Sequence, residues 1–571
     1  MPVIGGREWA QTTYAYLPGA WGPSMEEAYV PARHYLIDDK LHVPRRFNFA
    51  RDVVDAHAED REKTAMVWIG DDDTGRRCLT FLDIKDLSCR LANMLSDQGV
   101  AKGDRVFLMV GRRPEWWITM VALHRLGAVA VPATTMLTTK DIAYRLSRCE
   151  IKAVITDREG ERKFEEACRQ GDRPALRLTV DTPGHDHWRA FSQLESYSKD
   201  HVCCDTAAGD PALIYFTSGT TGMPKMVLHN QVSYGLAHAV TGLAWLGLAA
   251  NDVQFTVSDT GWALASYGAF YGPWHAGAAL VVDGSARFCV RRTLEILEAE
   301  QVTSFLAAPT VYRLLVQEDL GRLNAPRLRS CTSAGEPLNP EVMHIWEAAI
   351  GVPIREGYGQ TESVISVITR PGMAIKPGSM GRPSPSFDVR VLDETMNEAM
   401  PNQEGTLAIR VKPHRPVGLF DGYLDDEDEN ARCFVGDYYL TGDRAYRDED
   451  GYLWFVGRDD DVINSAGYRI GPFEVESALL EHPSVVEAAA VASPDKTRGA
   501  IVKAFIRLVA GCEPSPRLVE ELQAHVRRTT APYKYPRQIE FMNELPKTIS
   551  GKIRRAELRQ REFARSTSLG R

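Results

Sequence analysis

Short apolar runs and helical stretches alternate along most of this 571-residue chain, and that rhythm leaves few folds open. Arg105–Val110 reads as a strand, Pro114–Gly127 as an amphipathic helix and Val129–Pro132 as a second strand. Helix Thr139–Cys149 and strand Ala153–Thr156 follow. The pattern returns in Val253–Val257, Ala278–Val282, helix Thr293–Gln301, strand Ser304–Ala307 and helix Asn339–Ala349. A helix between two strands carries the chain back to the same end of the sheet, so the strands pair in parallel. The expectation is an α/β protein whose large N-terminal lobe holds mostly parallel sheets with helices on both faces.

Between about Phe387 and Tyr452 the texture changes to short alternating strands, such as Asp388–Leu392 and Gly405–Val411, which suggest a small β subdomain. The run from Asp425 to Glu429 reads as a solvated acidic loop. After Asp459-Asp460-Asp461 a fresh α+β pattern begins: helix Pro472–Glu481, strands Val486–Val491 and Val502–Leu508, helix Pro516–Arg528 and a basic tail. The expected division is an irregular leader over 1–45, a large domain over 46–459 and a small mobile domain over 460–571.

Composition narrows the function. A hydrophobic share of 44% and a charged share of 25% are those of an ordinary globular protein. A net charge of −9 speaks against a nucleic-acid partner, which calls for a basic face. The ten cysteines contain no CxxC pair, so free thiols in a reducing compartment are expected. The first residues lack the pattern of a signal or transit peptide. The apolar stretch Leu236–Ala250 is too short and too interrupted to span a bilayer. Together these features lead to the expectation of a cytoplasmic protein without a membrane span.

The chemistry concentrates in a few segments. Strand Ala212–Phe216 runs into Thr217-Ser218-Gly219-Thr220-Thr221-Gly222-Met223-Pro224-Lys225. Glycines admit an anion close to the backbone, and hydroxyls with successive N–H groups donate to phosphate oxygens. The loop is not a Walker A motif, because Lys225 follows Pro224 and precedes Met226. A polar turn without a ligand would share its composition.

Ser333-Ala334-Gly335-Glu336-Pro337 would present backbone at the carboxyl edge of a sheet, where ligands bind in open α/β folds. Gly357-Tyr358-Gly359-Gln360-Thr361-Glu362 offers an aromatic face for a base, a hydroxyl for phosphate and a carboxylate for a hard cation. Tyr439-Leu440-Thr441-Gly442-Asp443 would place a carboxylate at a strand end, suited to ribose hydroxyls. Ser465-Ala466-Gly467-Tyr468-Arg469-Ile470-Gly471 and Pro546–Arg554, with Lys552 on a loop, complete the set. Each alone has a plainer reading as a turn, a helix cap or a surface charge.

In this order the segments resemble the adenylate-forming superfamily of acyl-CoA synthetases, firefly luciferase and nonribosomal-peptide adenylation domains. Ser258-Asp259-Thr260-Gly261-Trp262, Ala308–Arg313, Gly467–Pro472 and Ala531–Arg537 are most similar to the medium-chain acyl-CoA synthetases. The similarity runs from about Val43 to about Leu558. It implies ATP, Mg²⁺ and coenzyme A, and a reaction in two steps through an acyl-adenylate.

The resemblance further implies that Thr217, Ser218, Gly219, Thr220, Thr221, Gly222 and Lys225 hold the β and γ phosphates. Gly335, Glu336 and Tyr358 would frame adenine, Asp443 with Arg458 would hold the ribose, and Pro337, Gly359 and Gln360 would also belong to the ATP and AMP site. Thr361 would touch the α-phosphate, Glu362 would hold Mg²⁺, and Lys552 would bridge the substrate carboxylate and the α-phosphate. The small domain would rotate about Asp460, bringing Gly467 to the pantetheine path. Arg469, Arg498, Arg527 and Lys534 are candidates for coenzyme A, and each reads equally as surface charge.

Acetyl-specific relatives carry a tryptophan where this chain has Gly359. An acyl pocket extending past Gly359, walled by Trp262, would suit a medium-length, branched or aryl acid. The family also implies a lysine acetyltransferase and deacetylase acting on Lys552. Loading of a carrier-protein pantetheine, or a non-catalytic binding role, are the alternative readings.

Overall fold

The structure is a computed structural model that describes residues 35–569 apart from 38–39, 72–74, 169–173, 182, 186, 219–222, 466–467, 496–497 and 548–551. Most of the expected leader, and the loop glycines Gly219 and Gly222 with Thr220 and Thr221, lie outside those residues, as does Gly467.

Two large sheets organise the N-terminal lobe. One orders its strands as Gly422–Tyr423, Pro224–Asn230, Pro211–Ser218, Val129–Pro132, Arg105–Met109, Ala153–Thr156, Leu176–Thr179 and Arg189–Ala190. Its pairs are parallel from Pro211–Ser218 onward and antiparallel at the Gly422 edge. The other runs Arg382–Pro383, Ser363–Ile368, Ile354–Gln360, Ser330–Ala334, Ser304–Ala307, Val253–Val257, Ala279–Asp283, Thr64–Ile69 and Arg76–Thr80. Its six central strands are parallel and both margins antiparallel.

The α/β expectation therefore holds. The helix Pro114–Leu126 departs from it in one respect, because it is buried all round rather than amphipathic. Every residue except Glu115 is buried. Trp117 Nε1 donates to the Ala269 carbonyl at 2.6 Å, and Trp116 meets Phe270 edge-on. Apolar residues of both sheets join this helix in one continuous core. Pro114 at its first turn and left-handed Gly127 (φ 67°) at its end set its limits.

The β subdomain comprises Val389–Leu392, Gly405–Arg410, Phe434–Val435, Tyr438–Arg447 and Leu453–Arg458. Asp443 sits within the long strand Tyr438–Arg447 and not at its end, opposite Arg458, just after Gly442 with φ of 73°. The acidic run is likewise not a simple loop. Asp426 caps a short helix, Glu427–Cys433, by accepting from the Glu429 amide. Three acidic residues in its first turn favour the helix through the macrodipole.

Beyond Arg458 a separate apolar cluster forms around Ile463, Ile470, Val475, Leu479, Val502, Ile506, Leu522 and Val526. It lies between helices Pro472–Leu480 and Pro516–Thr529 and the sheet Val485–Asp495, Gly499–Leu508 and Gln538–Phe541. The basic tail forms helix Arg555–Leu569. Its Glu562 receives Lys503 Nζ at 2.7 Å, and Arg565 reaches Glu540 at 2.7 Å, so charge pairing folds the tail onto the sheet.

Candidate active site

The carboxyl ends of both large sheets and one face of the β subdomain meet in a single region. Strands Pro211–Ser218 and Pro224–Asn230 pair antiparallel, with Thr217 opposite Lys225. This register brings the two ends of the hydroxyl-rich loop together. Lys225, however, does not point free at the loop's tip. Its ammonium is ion-paired with Glu429 and lies 5.1 Å from the Tyr423 ring centroid. The expected phosphate ligand is thus already engaged by a carboxylate 204 residues away.

At the second sheet, Gly335 has φ of 97°, and a Cβ added there would meet nothing within 4 Å. Backbone open on that side is what a base or phosphate needs for close approach. Glu336 follows, but its carboxylate is taken by Arg313 at 3.3 Å and the Thr310 hydroxyl at 3.4 Å. What remains at Gly335-Glu336-Pro337 for a base is backbone.

Asp443 is buried at 4% exposure and collects several donors. Tyr358 Oη donates to its Oδ2, Gln360 Nε2 donates to the same oxygen at 2.7 Å, and Arg458 Nε lies 3.4 Å from Oδ1. Burial raises the Asp443 carboxyl. The Arg458 charge, the Tyr358 and Gln360 hydrogen bonds and the Lys552 charge all oppose that rise. Lys552 therefore stands close enough to this carboxylate to act on it electrostatically. The expected catalytic lysine, at the far end of the chain, is in the same region as the ribose candidates.

Thr361 and Glu362 form the turn between strands Ile354–Gln360 and Ser363–Ile368. Four groups that the sequence did not single out hold this turn. His229 Nε2 lies 2.7 Å from the Thr361 carbonyl, and burial lowers that imidazole to about 3, so it is a neutral donor there. Tyr267 Oη is 2.7 Å from the Gln360 carbonyl and 2.6 Å from that of Ser363. Phe420 N donates to the Glu362 carbonyl, and Tyr423 Oη donates to Glu362 Oε1 at 2.8 Å. Burial raises the Glu362 carboxyl, which Tyr423 opposes. A lone buried histidine or tyrosine carries no sequence signal; only the fold brings these four to one turn.

On the acyl side, Trp262 precedes the short helix Ala263–Ser266, is half-buried and belongs to none of the apolar clusters. A side chain at Gly359 would start 3.0 Å from the Val364 carbonyl oxygen and 3.1 Å from Tyr267 Oη. That position is tight against its neighbours before any substrate arrives. A cavity lies under Ser258 and Thr260, lined by Trp117, Phe255, Ala265, Ala269 and Phe288.

The coenzyme A candidates are scattered. Arg527 stacks 3.7 Å over the Tyr535 ring, Lys534 is ion-paired with Glu474, and Arg498 is exposed. The side chains of Ser218 and Arg469 lie outside what is described. At the expected hinge, Arg559 of the tail helix donates to the Asp460 carbonyl at 2.6 Å and pairs with Asp461 at 2.7 Å.

Comparison with known proteins places these features in context. Residues 54–424 match the family described as AMP-binding enzyme, and residues 474–552 match its C-terminal domain. The chain is similar to mouse acyl-coenzyme A synthetase ACSM3, mitochondrial, at 45% identity over 535 residues covering 92% of each chain. Among solved structures it is similar to a Brucella canis acyl-CoA synthetase (36% identity, 94% and 97% coverage, TM-score 0.71). It is also similar to the anthranilate CoA ligase AuaEII in complex with anthranoyl-AMP (28% identity, 92% and 99% coverage, TM-score 0.84). The expectation of a cytoplasmic protein is corrected by these relatives. The mouse protein and its rat, orangutan and human counterparts are all named as mitochondrial, which contradicts the cytoplasmic reading. Among the described residues no helix is long and apolar enough to cross a membrane.

Proposed function

The chain belongs to the AMP-binding enzyme family, and from that premise we propose how its residues carry out the chemistry of an ATP-dependent, AMP-forming acyl-CoA synthetase. In the first step an oxygen of the substrate carboxylate bonds to the α-phosphorus of ATP, and the bond to the bridging oxygen breaks to release pyrophosphate. In the second, the thiol of coenzyme A attacks the acyl carbonyl, and AMP leaves with the carboxyl-derived oxygen.

The first step sets one anion against another. Two unit charges at about 4 Å repel by roughly 4 kcal/mol at an effective dielectric near 20. Lys552 is the cation we assign to offset that repulsion, and the observation that carries the assignment is its electrostatic reach to buried Asp443, beside Tyr358 and Arg458. Asp443 and Arg458 would receive the ribose, open Gly335 and Tyr358 the adenine, and Thr217 and the loop after it the phosphates.

The donor set fits Mg²⁺, which favours one or two carboxylates and completes its shell with phosphate oxygens and water. Glu362, with one oxygen already oriented by Tyr423, is the group that would hold it, while Thr361 would touch the α-phosphate. When bound, Mg²⁺ supplies charge neutralisation for the leaving pyrophosphate.

The small domain, from Asp460 onward, would turn between the two steps and withdraw Lys552. Gly467 would then line the thiol's path, with Arg469, Arg498, Arg527 and Lys534 near the coenzyme. Lys534 and Arg527 would have to leave Glu474 and Tyr535 to do so. The acid is of medium length, branched or aryl, a reading supported by Trp262 standing outside the core. Acetylation of Lys552 would silence the first step by removing its charge.

The test is a panel of C2 to C16 and aryl acids assayed for coenzyme A-dependent AMP release. The best kcat/KM is expected between about C4 and C12 or on an aryl acid, because each added methylene buried contributes about 0.8 kcal/mol until the pocket is full. A clear preference for acetate would overturn the substrate reading. AMP release indifferent to coenzyme A would overturn the choice of acceptor.

A further inference from the structure

Lys225 and the acidic run are two features that the proposed chemistry leaves unexplained, and they meet at one side chain. Tyr423 is 8% exposed and pairs with Val227 across the sheet edge, next to the strand that carries Lys225. Its backbone is held on both sides by Asn430, whose Oδ1 accepts from Tyr423 N at 2.8 Å and whose Nδ2 donates to Tyr423 O at 2.7 Å. Phe420 packs edge-on against its ring at 5.0 Å. On the ring lies the ammonium of Lys225, 5.1 Å from the centroid.

That ammonium is fixed in turn by Glu429, in a pair whose side chains are only 9% and 15% exposed, and Arg432 supports Glu429 at 2.5 Å. Ring, backbone and cation all restrict Tyr423, and its one remaining polar atom points at Glu362 Oε1, 2.8 Å away. The phenol O–H is the donor in this contact, because an ionised carboxylate oxygen can only accept.

We propose that Tyr423, held beneath the Lys225–Glu429 ion pair, is the positioning residue that sets the Glu362 carboxylate in its cation-binding orientation. The inference rests on the reading of Glu362 as the Mg²⁺ carboxylate. It changes the part given to Lys225, which acts through the Tyr423 ring and Glu362 rather than by touching phosphate in this arrangement. It also gives the acidic run a function, since Glu429 is the member of that run that reaches the site. Groups that orient a metal's ligand typically alter metal affinity by 10–100-fold when removed.

The experiment compares Tyr423→Phe, Glu429→Gln and Glu362→Gln in the full-length enzyme. Tyr423→Phe keeps the ring, and with it the cation contact and the packing, and removes only the donor. Mn²⁺ affinity is read directly by electron paramagnetic resonance in the presence of a non-hydrolysable ATP analogue. The Mg²⁺ concentration giving half-maximal ATP–pyrophosphate exchange is read alongside it.

The expected result is about tenfold weaker Mn²⁺ binding and a matching rise in the Mg²⁺ requirement for Tyr423→Phe. A smaller shift in the same direction is expected for Glu429→Gln. If Glu362→Gln weakens the cation and Tyr423→Phe does not, the inference is overturned while Glu362 keeps its role. If Glu362→Gln itself leaves Mn²⁺ affinity intact, the reading of Glu362 falls first and the inference falls with it. Unchanged binding in Glu429→Gln would remove the ion pair from the assignment.

Discussion

Replacing Lys552 with alanine deletes one charge and leaves every large core untouched, since the residue is exposed. A fully effective ammonium at about 4 Å from an anion would contribute roughly 4 kcal/mol at an effective dielectric near 20. Exposure and ionic screening reduce that figure. We therefore expect the adenylation step to slow by about 10²-fold or somewhat more, the scale of one lost transition-state contact. The site around it should persist, because Asp443 keeps Tyr358, Gln360 and Arg458.

The two half-reactions are measured apart: ATP–pyrophosphate exchange for the first, and thioester formation from supplied acyl-adenylate for the second. Lys552→Ala should lose the first and retain the second, and enzyme acetylated at Lys552 should behave alike. Exchange within a few-fold of normal would refute the charge argument. Equal loss of both steps would show that Lys552 supports the fold instead.

Other perturbations separate the remaining assignments. Gly467→Leu should show the opposite split, with thioester formation blocked and adenylation kept; parallel loss of both would make the glycine structural. Gly359→Trp should lower the ratio of kcat/KM for octanoate over propionate. Its Cβ would start 3.0 Å from the Val364 carbonyl oxygen, so the melting temperature should fall as well, and an unchanged ratio in folded protein would show that the acyl chain does not pass there. Arg559→Ala frees the Asp460 carbonyl and Asp461, and should favour the thioester-forming arrangement over the adenylating one, read as a faster second step relative to the first. Stability should fall on acidification below about pH 6.5, because burial holds His124 and His275 at about 4 and His229 at about 3 in the folded chain. Below the usual histidine value the unfolded chain binds protons that these rings refuse, so each contributes a slope of up to about 1.4 kcal/mol per pH unit until its folded value is reached. Denaturant midpoints that are flat between pH 7 and pH 5 would contradict this.

The strand–helix order was legible in the sequence because the apolar periods that encode it are local. Val129–Pro132, Ala153–Thr156 and Ser304–Ala307 stand where the pattern puts them. The motif segments were legible for a related reason: glycine at 335, a hydroxyl-rich loop after Phe216 and a Thr-Glu pair at 361–362 carry their chemistry in residue type and spacing. The sequence by itself also sufficed to place the chain among adenylate-forming enzymes.

Tertiary structure decided which partner each charged group has and which faces are buried. The segment from Pro114 is expected to be one-sided, but it is apolar nearly all round, and with the two sheets sharing one core around it no face is left for water. Lys225 sits in a phosphate-loop motif, yet its ion pair is made across 204 residues with an acid that the sequence presents as one of five in a surface run. Tyr423 and Glu362 are 61 residues apart, and Tyr358 and Asp443 are 85 apart. Such contacts follow from how sheets stack, and low dielectric then makes each pairing strong. Local pattern encodes the backbone's hydrogen bonds, while the environment of a buried charge is a sum over distant segments and exists only once the chain has folded.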